Sequence, residues 1–152
     1  MTERDAISTD PTAIAAELGI RDTIARYAHH VDDGDFEALA DLFTEDGEFV
    51  IDRFDEPVNP MRGRRAIAEY LTHSADARSS DPERGPYRRH HVSSMLVRLE
   101  STTTARVESY FTAVMIHGVD HWGRYEDNFE FVGGRWRFAK RHVRVDGRIS
   151  RV

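Results

Sequence analysis

The stretch RRHHVSSMLVRLE, residues 88–100, has the apolar and β-branched content of a strand and opens on two adjacent histidines, His90 and His91. With an ordinary pKa of about 6.5, histidine is the side chain that gives and takes a proton near neutrality. Successive strand side chains point to opposite faces, so only one of these imidazoles can face a buried interior. Alternation groups His91 with Ser93 and Met95, and groups His90 with Arg88, Ser94 and Arg98. That grouping gives partial support to His91 as the inward one. Leu96 falls out of phase, which leaves room for a bulge or for burial on both faces.

A carboxylate beside such a histidine fixes its tautomer and stabilises the imidazolium once a proton arrives. The acidic run DDGD contains Asp32, Asp33 and Asp35, any of which would also serve as a plain helix stop. Asp32 falls in a last helical turn, where the negative end of the macrodipole raises a carboxyl pKa and a neighbouring imidazolium lowers it again. Tyr27 lies five residues earlier, about 140° away around an ideal helix, so both reach one cavity only if the helix end turns inward. His29 and His30 are expected to be exposed or interfacial. His117 and His121, with Asp120 between them, bracket a strand connection rather than a helix face, so no metal is expected there.

The 152-residue length suits one domain, and 39% hydrophobic with 32% charged residues is a globular composition. A formal net charge of −6 argues against a general nucleic-acid binder. The absence of cysteine removes disulfides, thiolate nucleophiles and zinc-thiolate sites. No apolar run approaches a membrane span, and the opening MTERDAISTDP lacks signal-peptide order, so a cytoplasmic protein without membrane contact is expected.

The elements that must position these residues can be read from periodicity. After a loose arm over residues 1–10, Asp10 and Pro11 start a helix over residues 11–32 with Ile14, Leu18, Ile24, Ala28 and Val31 at helical spacing. Gly34 stops it, and FEALADLF forms a short second helix. A turn at Asp46–Gly47 leads to a strand carrying Phe49 and Ile51, and a third helix covers residues 65–73. SADARSSDPERGP reads as a loop. Strands follow over residues 87–100, 105–117, 122–132 and 135–145, the last two joined by a turn at VGG, with Trp136 as anchor beyond it. Residues 11–147 form one domain and residues 148–152 a tail. Helices followed by an antiparallel meander make an α+β fold, a curved sheet curling into a cone over its helices. Its outer face is expected to carry Arg98, Arg106, Arg124, Arg137 and Arg141.

YAHHVDDGDFEALADLFTEDGEFVI, together with TTTARVESYF and GRYEDNFEFVGGRWRFAKRHV, resembles the SnoaL-like branch of the nuclear-transport-factor-2-like superfamily. The resemblance runs over residues 13–146. It implies a cone-shaped α+β barrel, mostly antiparallel, whose open end holds a small, largely apolar molecule. In dehydratase-like members an aspartate ending the first helix, a histidine on the first long strand and often a helix tyrosine carry the chemistry. These fall on Asp32, His91 and Tyr27.

The resemblance further implies a pocket wall drawn from Phe49, Met95, Phe111, Ala113 and Phe129, and assembly as a homodimer or homotrimer through the sheet face. The expected reaction is proton abstraction beside a carbonyl of a small, hydrophobic, cyclic compound, followed by loss of water or a double-bond shift. His91 is the base, Asp32 its partner, Tyr27 the donor, and neither metal nor organic cofactor is called for. The related dehydratases place a further acid or histidine on the next strand, where the inward candidates are Ser109, Phe111, Ala113 and Met115. Phe131 and Val132 stand where dehydrochlorinase-like members have arginine. The competing expectation is a small-molecule binding or accessory protein with the same pocket, and a weaker one is a protein-interaction module.

Overall fold

The computed structural model describes residues 8–53, 56–57, 60–79 and 87–149. Helix α1, Pro11–Asp33, starts where the Asp10 carboxylate accepts the backbone N–H groups of Thr12 and Ala13. It ends at Gly34, whose φ of 76° is the left-handed conformation that glycine adopts without a Cβ penalty. Ile20, Ile24, Tyr27, Ala28 and Val31 form its buried stripe, whereas Ile14 and Leu18 are exposed, so the apolar face begins a turn and a half later than expected.

Helix α2, Phe36–Asp41, is capped by Asp35. Helix α3, Arg64–Ser79, buries Ile67, Ala68 and Leu71. It continues through the first part of the segment expected to be a loop, and residues 80–86 of that segment lie outside the described residues, as do most of the expected arm and tail.

Strands β1 (Phe43–Arg53), β2 (Glu56–Pro57), β3 (Met61–Arg62), β4 (Arg88–Leu99), β5 (Thr104–Met115), β6 (Gly118–Val132) and β7 (Arg135–Arg148) form one sheet. Its order is β2-β1-β7-β6-β5-β4, with β3 also paired to β1. All neighbours are antiparallel except β1 and β7. The fold is the expected α+β cone. Asp46–Gly47 is not a turn but an irregular part of β1, where register with β7 slips between Phe43 and Glu48. The turn between β6 and β7 is where the sequence places it, with Gly133 and Gly134 at φ 60° and 75°.

Two register shifts decide what faces inward. In β4, Ser93 pairs with Tyr110 but Leu96 with Glu108, so one extra residue is accommodated. Ser94, at φ 51°, takes up the irregularity. Beyond it Met95 and Val97 pack on the core, and before it Arg88, His90 and Val92 share the inward face. In β7 the shift opposite Asn128 and Phe129 leaves Ala139 as the extra residue, so that Phe138 and Arg141 both face in.

A left-handed serine in a strand is strained. Ser94→Gly is therefore expected to stabilise the protein by about 0.5–1 kcal/mol and the β-branched Ser94→Val to destabilise it by about 1–3 kcal/mol. Thermal melts read both, and equal midpoints for all three proteins would mean that the bulge holds no strain.

Candidate active site

The C-terminal turn of α1 lies against the start of β4, and there Asp32 meets a histidine. The Nδ1 atom of His90 is 2.6 Å from Asp32 Oδ1, and the His90 backbone N–H donates to Oδ2 at 2.9 Å. Both side chains are over nine-tenths buried. A carboxylate held by the backbone and the ring of one residue cannot rotate without losing both bonds, so the imidazole orientation is fixed. Arg88, two residues earlier on the same strand face, donates to the carbonyl of Val31 and stands 3.8 Å from Asp32 Oδ1. It supplies a cation at the negative end of α1.

The inward histidine is therefore His90 and not His91, the one expected from the resemblance with partial support from alternation. His91 points to the exposed face and pairs across the ladder with Thr112, while His90 points in. Met95 does lie inside, as expected, but carrying its phase back to His91 crosses the bulge at Ser94, which inverts the parity.

Across the sheet His90 pairs with Ala113, and Ala113 pairs with His121 on β6. The fully buried Ala113 carries only a methyl group, so the two imidazoles approach over it to 6.1 Å between centroids. His121 has its own carboxylate, with Nδ1 2.8 Å from Asp120 Oδ2, while the other oxygen of Asp120 faces His117 Nε2 at 3.1 Å. Sequence reasoning misses His121 because β6 begins four residues earlier than its apolar pattern suggests, which turns the expected connection into strand. The signal is present, since Gly123, Tyr125, Asp127 and Phe129 alternate inward, and the same step taken backward reaches His121. Among the described residues no group of three or more potential ligands is arranged to hold a metal.

Tyr27 is buried deeper along α1, with its ring 6.0 Å from that of Tyr125 and 4.1 Å from the guanidinium carbon of Arg141. The structure thus brings Tyr27 into the interior, beside Tyr125, Phe138 and Arg141. Burial raises its pKa, so its hydroxyl stays protonated. Phe111 is stacked on Tyr125 at 4.6 Å and lies 6.2 Å from His90 and 5.8 Å from His121, forming a wall beneath both imidazoles. Phe49 and Phe129 are buried further away, against Phe43 and Phe138 respectively, and Met95 is half-buried below the bulge. Arg141, expected outside, is fully buried and bonds Asp127 through Nε and Nη2 at 2.8 and 2.7 Å. A groove of about 490 Å³ between the first half of α1 and the β6–β7 hairpin includes none of these site residues.

The environments of the two imidazoles differ. Burial lowers the pKa of His121 from its usual 6.5; the Asp120 hydrogen bond opposes this, and the charges of His90 and Arg88 reinforce it. For Asp32 burial acts upward, but the hydrogen bonds and charge of His90, with the charge of Arg88, outweigh it and hold the carboxyl below its usual 3.8. Both groups release protons more readily in the folded chain than in the unfolded one. The stability they contribute is complete above the unfolded pKa values and is lost as pH falls through the folded ones. The denaturation midpoint in urea is expected to fall as pH drops below about 6.5, and His121→Asn to flatten that slope. An unchanged slope would count against a neutral His121.

The sequence profile of the SnoaL-like domain matches residues 12–142, and the chain belongs to the SnoaL-like family. A comparison with curated proteins finds no match. Among solved structures, an NTF2-like protein with a cystatin-like fold from Novosphingobium aromaticivorans is 28% identical, with a TM-score of 0.68 and 93% and 94% of the two chains covered. A Catenulispora acidiphila protein in complex with S-DNPA is 27% identical, with a TM-score of 0.68 and coverage of 88% and 95%. A third structure, also from N. aromaticivorans and provisionally called a scytalone dehydratase, shares the fold at 24% identity, with a TM-score of 0.73 and coverage of 93% and 91%.

Proposed function

We propose that this protein is a lyase or isomerase that transfers protons beside the carbonyl of a small, hydrophobic, cyclic compound. The observation that carries the reading is the pair of imidazoles, each with a carboxylate at Nδ1, facing one another over Ala113. Pairs of titratable groups set in different environments are the pattern of divided acid and base roles.

His121, kept neutral by burial, takes the proton from the carbon beside the carbonyl. Its Nδ1–H is held by Asp120, so Nε2 is the atom that accepts. The electron pair of the broken C–H bond forms the enolate. His90, whose imidazolium is stabilised by ionised Asp32, donates to the departing hydroxyl, which leaves as water when the double bond forms. In the isomerase variant the same proton goes to the γ-carbon instead. Both routes balance with side chains alone. The two rings are edge-to-face neighbours at 6.1 Å between centroids, so one substrate lying against both reaches donor and acceptor, while the Phe111 and Tyr125 rings below exclude water, which strengthens every charge interaction in the site.

The SnoaL-like family and the structure provisionally called a scytalone dehydratase support the reaction class. The neighbour bound to S-DNPA supports a pocket for a small molecule. The test is to incubate the protein in deuterium oxide with a panel of bicyclic ketones and β-hydroxyketones and follow label incorporation beside the carbonyl, or water loss, by mass spectrometry. Incorporation that disappears in His121→Ala is expected. Retention of all compounds unlabelled, even those that bind, would make the protein a binding module instead.

A further inference from the structure

Asp120 sits out of register in its strand. Ala113 pairs with His121 and Val114 with Val119, so β6 carries Asp120 as the extra residue of a bulge. Just before it, Ile116 and His117 form a two-residue loop between Met115 and Gly118, and Gly118 has a φ of 104°. The tight loop and the bulge together bring His117, Asp120 and His121 side by side. Asp120 Oδ2 is 2.8 Å from His121 Nδ1, and Asp120 Oδ1 is 3.1 Å from His117 Nε2. A carboxylate gripped at one oxygen still turns about its broad last torsion, whereas one gripped at both is fixed. Asp32 is fixed in that way, its oxygens taken by the ring and the backbone N–H of His90. At Asp120 the second oxygen meets a loop side chain that is 27% exposed.

We propose that His117 is a positioning residue for His121: by donating its Nε2–H to Asp120 Oδ1 it holds the carboxylate still against His121 Nδ1, which keeps the His121 proton on Nδ1 and leaves the lone pair on Nε2. The proposal rests on the reading of His121 as the base. An ionised carboxylate only accepts hydrogen bonds, so each ring nitrogen that faces Asp120 carries a proton. Burial lowers the pKa of His121 and keeps the ring neutral, with a single ring proton to place. Its tautomer then decides whether Nε2 can take a proton at all. The neutral side chain of free histidine favours the opposite tautomer, with the proton on Nε2. The site must reverse that preference, and a carboxylate free to rotate away from Nδ1 does so less well than one held at both oxygens.

The test reads the His121 ring directly. The intact protein is labelled with nitrogen-15 in its histidines, and long-range proton–nitrogen correlation spectra are recorded at about pH 8, above the ordinary imidazole pKa. The His121 signals are those that vanish in His121→Asn. In the native chain the Nδ1–H form is expected to exceed the Nε2–H form at least about tenfold, the size of a hydrogen bond to a charged acceptor. His117→Ala is expected to cut that excess about threefold or more, and His117→Gln, whose amide N–H can donate to the same oxygen, to keep it. Both changes fall in an exposed loop, and circular dichroism checks that each variant is native. An excess unchanged in His117→Ala, or lost alike in the Ala and Gln variants, overturns the positioning role and leaves the base assignment standing. A native His121 with its proton on Nε2 overturns the positioning role and removes His121 as the base as well. The spectra need no substrate, so the reaction class is decided separately by the deuterium-exchange experiment.

Discussion

His90→Ala is expected to lower turnover by about 10²- to 10⁴-fold, the usual contribution of a positioned proton-transfer group, while His91→Ala leaves it unchanged. The two residues are adjacent and chemically identical, so the comparison isolates geometry. His90 is buried, bonded twice to Asp32 and 6.1 Å from His121, whereas His91 faces outward. Asp32→Asn is expected to act in the same direction as His90→Ala, because an amide can hold the ring but cannot stabilise an imidazolium. Steady-state rates on any substrate found by deuterium exchange provide the measurement. Equal losses in the two histidine variants would point to a general effect on the strand and remove the case for His90.

The largest expected effect on stability is at Arg141. Its guanidinium is enclosed by the faces of Tyr27, Tyr125 and Phe138 at 4.0 to 4.3 Å and is bonded through two nitrogens to Asp127, with both side chains 0% exposed. Burial acts to lower the arginine pKa, but the carboxylate of Asp127 outweighs it and the cation is held more firmly than usual. Burial pushes the Asp127 carboxyl up, against the pull of Arg141. Removing one partner from such a pair leaves a charge in an apolar interior. Arg141→Met is expected to destabilise the protein by about 3–5 kcal/mol, a fall in Tm on the order of 10 °C for a chain of this size. The double variant Arg141→Met/Asp127→Leu is expected to recover most of the loss, since the uncompensated charge is gone. Thermal melts of the two variants decide the matter, and a double variant no more stable than the single one would rule out the isolated carboxylate as the cause.

Much of this architecture is legible in the sequence. Asp10 and Pro11 start α1 and Gly34 ends it, because capping chemistry is local and needs no tertiary partner. The turn at Gly133 and Gly134 is equally local. The motifs around DDGD and GRYEDNFEF point to the SnoaL-like fold, and Asp32, the carboxylate that the resemblance singles out, does lie against a histidine. Where strands run regularly, as from Gly123 to Phe129, alternation sorts inside from outside without error.

Parity across a bulge was decided only in three dimensions. A strand's side chains alternate with a period of two, so one extra residue inverts every assignment beyond it. The bulge at Ser94 exchanged His91 for His90, and the one at Ala139 turned Arg141 from the outer face into the core. Neither Ser94 nor Ala139 carries the glycine that would have signalled a break in register. His121 depended likewise on where β6 begins and on Ala113 being small enough for two imidazoles to meet over it. The sequence by itself determined the helices, the turn, the family and the chemical types available. Which histidine of an adjacent pair faces the carboxylate, and which second histidine faces it, was set by strand register, a property of paired strands that a single strand's sequence does not encode.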